Sequence, residues 1–247
     1  MNATPQRTVR RARPLLGTLV EVGVCGAADD IAFAWCDAAF AAIAGVQRQL
    51  SRFDAASDVA RFNAMAAGGW LDVQADTAVV LDAARQLFDG SGGAFDISLG
   101  SGGWRLHERR LHKLHDAAHI DLGGIGKGHA VDRAVQALRA AGAAGGWVNA
   151  GGDLRSFGAA TVALQLRDER RGGVVEFGRL HDGAFATSHF GDGTRSQLSA
   201  TSASTQAHVS VAAPSCLLAD ALTKVVAATT DANHPLLARS GARAWLH

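Results

Sequence analysis

Between residues 15 and 24 the side chains alternate, with Leu16, Thr18, Val20, Val22 and Val24 on one face, the period of a β-strand. Asp29 and Asp30 then open a helix, and its apolar stripe runs through Ile31, Trp35, Ala39, Ala42, Ile43, Val46 and Leu50. A polar loop carrying Phe53 and Phe62 follows over residues 51–63, and a short strand is predicted near Trp70 to Val73. Asp76 or Thr77 caps a second helix, striped by Val80, Ala84, Leu87 and Phe88 and stopped by Gly90. Residues 91–104 are rich in glycine and read as loop.

A basic segment carries His107, His112, His115 and His119. No cysteine joins them and Arg and Lys alternate with them, so a solvated hairpin or helix face suits them better than a metal site. A third helix is striped by Val131, Ala134, Val135, Leu138 and Ala141 and ends at Gly142. Trp147 to Asn149 is a strand running into the turn Gly151-Gly152-Asp153, and further strands are predicted at Thr161 to Arg167, Gly173 to Leu180 and Ala184 to Ser188. After a long polar stretch from His189 to Ala207 come a strand at His208 to Ala212 and a helix capped by Ser215, with Leu218, Leu222, Val225 and Thr229 on one stripe. A last strand is predicted at Gly241 to Leu246. Strands that follow one another without intervening helices predict a largely antiparallel sheet and the α+β class.

Composition narrows the picture. Hydrophobic residues make up 48% and charged residues 19%, which excludes disorder, and no apolar run approaches a membrane span. The net charge of +1 gives no reason to expect nucleic acid or a membrane surface as partner. Cys25, Cys36 and Cys216 are odd in number and flanked by apolar residues, as buried thiols are. Residues 1–14 are read as a basic tail ahead of a single domain over residues 15–247; no signal peptide is recognisable, so the cytoplasm is the expected compartment.

The chemistry is concentrated in Asp121-Leu-Gly-Gly-Ile-Gly-Lys-Gly-His-Ala-Val-Asp132. Glycines let backbone approach an anion closely, a helix start points N–H groups at it, and Lys127 adds a positive charge. The alternative is a tight strand-to-helix turn that binds nothing. Two known phosphate motifs are excluded: Lys127 is followed by Gly128 and His129 rather than Ser or Thr, and neither the glycine spacing nor parallel βαβ units of a dinucleotide fold are present.

Seven stretches in order cover residues 15–224: Leu16-Gly17-Thr18; Ser51-Arg52-Phe53 through Ser57 to Arg61-Phe62-Asn63; Gly93-Ala94-Phe95-Asp96-Ile97-Ser98; Asp121 to Asp132; Val148-Asn149-Ala150-Gly151-Gly152-Asp153; Ala186-Thr187-Ser188; and Val209-Ser210-Val211 leading to Ala219-Asp220-Ala221-Leu222. In these the chain resembles the ApbE family of FAD:protein FMN transferases. The resemblance implies an ApbE-like, T-fold-related α+β structure with a largely antiparallel or mixed sheet, packed helices and two lobes. It implies transfer of the FMN half of FAD to a threonine or serine hydroxyl of an acceptor flavoprotein, with release of AMP and with a divalent metal, usually magnesium. Some members hydrolyse FAD to FMN and AMP instead.

Carried over, the resemblance implies that Phe53 stacks on the isoalloxazine, although an aromatic beside Phe62 is as naturally core. Gly123, Gly124 and Gly126 would line the phosphates or ribose, with a Gly124 carbonyl reaching the metal. Thr18, Phe95, Asp96, Lys127, Asp132, Gly151, Gly152, Asp153, Thr187 and Ser188 would complete the nucleotide pocket. Asp220, with Thr223, would hold the metal, and Lys127, His189 and Asp220 would be the catalytic set. Simpler readings stand beside these: Asp132 as support of a first helical turn, and Asp220 as a charge early in a helix.

Three departures from the family pattern bear on function. Lys224 stands where a metal-supporting threonine is usual, with Thr223 one residue earlier. The stretch Arg195 to Ser202 lacks the usual histidine and Asp-Pro, so that His189 or His208 would have to act as base. His129 replaces a usual tyrosine. The alternatives to transfer are therefore an FAD pyrophosphatase and a non-catalytic FAD-binding protein. Members of the family are often exported lipoproteins, which makes the periplasm the alternative compartment.

Overall fold

The alternating stretch becomes β2 (Thr18–Cys25), with Val20, Val22 and Val24 fully in the core. It pairs along its length with β1 (Thr8–Leu15) through a two-residue turn, Leu16-Gly17, in which φ is 55° and 70°. Positive φ at both turn positions is the type I′ geometry that matches the twist of a hairpin. The expected basic tail is therefore strand from Thr8 onward, and Leu16-Gly17 is turn rather than strand. An outermost strand needs no apolar alternation, and its charges guard the sheet edge: Arg10 pairs with Glu21, and Arg11 and Arg13 lie 2.8 and 2.7 Å from Asp37.

This structure, a computed structural model, describes residues 8–167, 172–190 and 207–247. After β2 the elements are α1 (Asp29–Leu50), α2 (Asp58–Ala64), β3 (Trp70–Asp72), α3 (Ala75–Gly90), β4 (Trp104–His107), β5 (Arg110–Lys113), α4 (Gly126–Ala140), β6 (Gly145–Ala150), β7 (Asp153–Arg167), β8 (Val174–Phe190), β9 (Ala207–Ala213), α5 (Cys216–Thr229), α6 (Pro235–Arg239) and β10 (Arg243–Leu246). The large sheet has the order β1-β2-β6-β7-β8-β9-β10, antiparallel throughout, and a small sheet has the order β3-β5-β4. The α+β class and the antiparallel sheet agree with the sequence reading.

Helices α1, α4 and α5 cover one face of the large sheet, α1 against β1 and β2, α4 against β6 and β7, and α5 against β8 and β9. One continuous core joins them to Phe62, Leu71 and Leu111 of the small sheet's lobe. A smaller cluster, Leu154, Leu164, Leu166, Leu180 and Phe185, packs on the sheet's opposite face beneath Phe177 and Trp245.

Several elements differ from the pattern read in the sequence. The buried face of α1 is Ala32, Cys36, Ala39, Phe40, Ile43, Val46 and Leu50, while Ile31 is half exposed; small residues at 32 and 36 allow close approach to the sheet, and size alone misplaced the stripe. The second half of the polar loop is α2, capped by Ser57, whose Oγ accepts from the Ala60 amide at 3.0 Å. It is too short to show a period. Helix α3 starts from Gln74 without a side-chain cap, because Asp76 and Thr77 turn inward to other partners. β7 and β8 each run unbroken through the register shifts that interrupt the alternation. Helix α5 is buried nearly all round rather than on one stripe, and α6 was not anticipated. The histidine-rich segment is the β4–β5 hairpin, with His112 stacked on Trp70 at 4.2 Å.

Candidate functional site

The stretches that are distant in sequence meet around the glycine run. Asn63 clamps Ile120 with two hydrogen bonds of 2.9 Å, Nδ2 donating to the Ile120 carbonyl and Oδ1 accepting from its amide. The Asp121 amide donates to the Ile97 carbonyl at 2.7 Å, tying the glycine-rich loop to the same point. The Asp121 carboxylate accepts from the Gly123 amide at 2.8 Å and from Arg52 at 2.6 Å. Gln47 of α1 accepts from the Leu16 amide at 2.8 Å and so brings the β1–β2 turn to the same rim.

These contacts enclose a cavity of about 650 Å³, within the range of a small-molecule site. Its walls include Leu16, Phe53, Phe95, Asp96, Gly123, Gly124, Gly126, Lys127 and Lys224. Phe53 is 85% exposed, with the Arg52 guanidinium 4.8 Å from its ring, whereas Phe62 is fully buried. Phe53 is thus not core, which removes the simpler of its two readings. Asp96 is held in place by its own loop, accepting from the Ser98 and Gly100 amides at 2.8 Å each.

Helix α4 begins at Gly126, and its first amides are not free for a ligand. Gly126 donates to the Leu122 carbonyl at 2.7 Å, and Gly128 donates to Asp220 Oδ2 at 3.1 Å. The anion seated on this helix start is the protein's own Asp220 carboxylate. A ligand phosphate would meet Gly123, Gly124 and the lysines instead.

Behind that wall lie two carboxylates and two ammonium groups. Lys127 is bonded to Asp153 and lies 3.9 Å from Asp220. Lys224, one turn on from Asp220 in α5, spends its three hydrogens on Asp220 Oδ1, on the Asp220 carbonyl at 3.0 Å and on Ser188 Oγ at 3.3 Å. Thr223 Oγ1 donates to the same carbonyl at 2.7 Å and lies 2.9 Å from Ser188 Oγ. Burial pushes the Asp220 carboxyl up, but Lys127, Lys224 and the Gly128 amide outweigh it and hold the group below the ordinary carboxylate range. Asp153 goes the other way: burial and the neighbouring Asp220 raise it against the pull of the two lysines. Burial pulls the Lys127 ammonium down, and Asp153 and Asp220 more than offset this and hold it above the ordinary lysine range.

The remaining predicted residues fall elsewhere. Asp132 turns away from the cavity and seats the start of α5, accepting from the Cys216 and Leu217 amides at 2.9 Å each and from Arg155. It is a helix-supporting group, as the simpler reading had it, on a neighbouring helix rather than its own. Gly151 packs against Thr18, so closely that a Cβ there would lie 2.5 Å from Thr18 Oγ1, and the Gly152 amide bonds Asn149 Oδ1 at 3.0 Å. Ser188 faces the lysine cluster, whereas its neighbours Thr187 and His189 face the opposite side of the sheet. There Thr187 bonds Ser210 at 2.9 Å, and His189 stacks on His208 at 3.9 Å. His129 is buried against Asp76 at 2.9 Å, on the far side of α4 from the cavity. The stretch Arg195 to Ser202 lies outside the described residues.

Gly128 was missed as a site residue. A Cβ on it would lie 2.2 Å from the Cys216 carbonyl oxygen, so only glycine lets α4 and α5 approach closely enough to join its amide to Asp220. Its place inside a glycine run hid that separate task.

Oxygen donors of the kind magnesium prefers are present in Asp220 and Thr223. Both Asp220 carboxylate oxygens are occupied, however, by Lys224 and the Gly128 amide, and the Thr223 hydroxyl is spent on the Asp220 carbonyl. Among the described residues no three His, Cys, Asp or Glu side chains are grouped to hold a metal. The residues present do not fit a divalent cation.

The sequence profile of the ApbE family matches residues 16–110 and 101–245. The chain belongs to the ApbE family. In fold it is similar to the apo form of the flavinyl transferase ApbE of Pseudomonas stutzeri, at 22% identity, with 100% of this chain and 92% of that chain covered and a TM-score of 0.79. It is similar also to the ApbE protein of Thermotoga maritima (21% identity, 97% and 94% covered, TM-score 0.80) and to the flavin transferase ApbE of Vibrio cholerae (20%, 90% and 87%, 0.75). Comparison with curated proteins found no match. Among the described residues no helix is long and apolar enough to cross a membrane.

Proposed function

We propose that this protein transfers the FMN half of FAD to a threonine or serine hydroxyl of an acceptor flavoprotein and releases AMP. The observation that carries the proposal is the cavity itself, set in a chain of the ApbE family. One wall is a glycine run that admits a pyrophosphate to the backbone, two lysines stand behind that wall, and an exposed Phe53 offers its ring at the edge.

In the reaction the acceptor oxygen bonds to the FMN-side phosphorus as the bridging P–O bond breaks. AMP leaves with that electron pair, and the hydroxyl proton passes to solvent. The protein's tasks are to align oxygen, phosphorus and leaving group and to offset charge on the phosphoryl oxygens. Gly123 and Gly124 give backbone access, Lys127 and Lys224 supply the charge, and Phe53 stacks on the flavin.

A second reading, FAD binding without transfer, is favoured by one observation: His189 and His208 stack together on the side of the sheet away from the cavity. One assay separates the readings. Incubation with FAD and a candidate acceptor flavoprotein should yield acceptor-bound flavin and AMP in equal amounts. Free FMN plus AMP would mark a hydrolase, and unchanged FAD that still binds would mark a carrier.

A further inference from the structure

We propose that the Lys224 ammonium is the resident cation of this site, standing where a divalent ion would otherwise bind, so that the chain holds its nucleotide without a divalent metal. The part concerning nucleotide rests on the FAD reading above; the part concerning the cation does not.

Lys224 Nζ is coordinated as a small cation would be. Three oxygens from two elements surround it: Oδ1 and the carbonyl of Asp220 on α5, and Oγ of Ser188 on β8. The group is buried, and its stem runs past Gly124, where a Cβ would lie 3.4 Å from Cε. The absence of a side chain at Gly124 is thus what gives the lysine its channel, and a β-carbon there would crowd it. A divalent ion bound to Asp220 would have to share that carboxylate with the ammonium at a few ångström. In a buried site, repulsion between two cations is several times stronger than in water. Lys127 stands on the other side of Asp220, at 3.9 Å, and adds to it.

Nor is the lysine free to swing aside. All three of its hydrogens are used, and leaving the pocket would strand the fully buried Asp220 carboxylate with one fewer partner. Charge balance reaches the same point: Asp153 and Asp220 are matched by Lys127 and Lys224, so the buried cluster is neutral as it stands. A covalently tethered ammonium carries one charge rather than two, but it stays in place without being drawn from solution, and lysine serves phosphate as a point charge.

The test uses the full chain, stripped of metal with EDTA and dialysed. Uptake of Mn2+ is read from the spin-resonance signal of the free ion, and FAD affinity from flavin fluorescence in EDTA and in magnesium. The wild-type protein should take up no stoichiometric Mn2+ at millimolar concentrations, and its Kd for FAD should agree between EDTA and magnesium to within about twofold. Lys224→Thr should gain one Mn2+ site per chain, and its FAD affinity should then fall by about tenfold or more in EDTA.

Uptake of one Mn2+ per chain by the wild type, or a loss of about tenfold in its FAD affinity on adding EDTA, would overturn the inference. So would a folded Lys224→Thr that takes up no Mn2+. If that variant does not fold, the wild-type measurements decide alone. If the wild type binds no FAD under either condition, the FAD reading falls, while its Mn2+ titration still decides the role of Lys224.

Discussion

Gly128 and Cys216 are in backbone contact across the α4–α5 interface, where a methyl group on the glycine would lie 2.2 Å from the Cys216 carbonyl oxygen. Helix propensity favours alanine over glycine by about 1 kcal/mol. The clash is with backbone, which cannot rotate away, and overpacking of this kind costs about 1–3 kcal/mol or more. The expected result for Gly128→Ala is net destabilisation, read by urea unfolding, together with weaker FAD binding because the Asp220 carboxylate loses its place on the helix start. A variant as stable as wild type would show that the two helices slide apart at little cost.

Asp132 should behave as structure, not as ligand. It satisfies the first two amides of α5, Ser215 takes the third at 3.3 Å, and Arg155 closes the group. Asp132→Ala leaves a buried arginine without its partner, and losses of that kind run to about 3–5 kcal/mol. Unfolding experiments should show such a loss, with Asp132→Asn milder, while the folded fraction binds FAD as before.

Phe53→Ala should do the reverse. A ring that is 85% exposed contributes little to folding, so stability should stay within about 0.5 kcal/mol of wild type. Stacking of a base-like ring on an aromatic is worth about 1–3 kcal/mol, so FAD affinity should fall by about 5- to 150-fold. Isothermal titration beside thermal melts checks both halves, and an unchanged affinity would remove Phe53 from the site.

His189→Ala and His208→Ala are expected to leave both FAD binding and covalent flavin transfer unchanged, since the pair lies across the sheet from Ser188 and Asp220. Loss of transfer in either variant, with binding intact, would place a base where the fold does not.

Burial raises the Cys36 thiol above its ordinary range. Cys216 is pushed up further, by burial first and then by Asp153, Asp132 and Asp220. A raised thiol pKa means less thiolate at a given pH and slower reaction. At pH near 8 the folded chain should therefore react with a disulfide reagent only at the partly exposed Cys25, and at all three of its cysteines after denaturation. Fast reaction of a second thiol in the folded state would show that α1 or α5 opens locally.

Much of the fold could be read directly because its long elements carry their own periodicity. β2 alternates without a break, and α4 has its apolar stripe and a C-terminal Gly142 at φ 97°. Short or edge elements were harder for specific reasons. β1 is held by arginines rather than by an apolar face, and α2 and α6 are shorter than two helical turns. For the site, the residue types were legible and their directions were not. Nothing in the sequence says that Asp132 turns to α5, that Thr187 and His189 face away from Ser188, or that Lys224 bonds Asp220 within the core. Those facts depend on strand parity and helix approach, which only the assembled fold sets.

The cavity takes its walls from the β1–β2 turn at Leu16, the loop at Phe53, the segment around Phe95, the glycine run and Lys224 near the far end of the chain. No fragment can present it, so occupancy reports that nearly the whole polypeptide has folded. An occupant also stabilises all of it together, by about 2.7 kcal/mol when present at a hundred times its Kd. A chain released from synthesis thus becomes competent for its ligand in one step, and the ligand in turn becomes a guard against partial unfolding and proteolysis anywhere along its length.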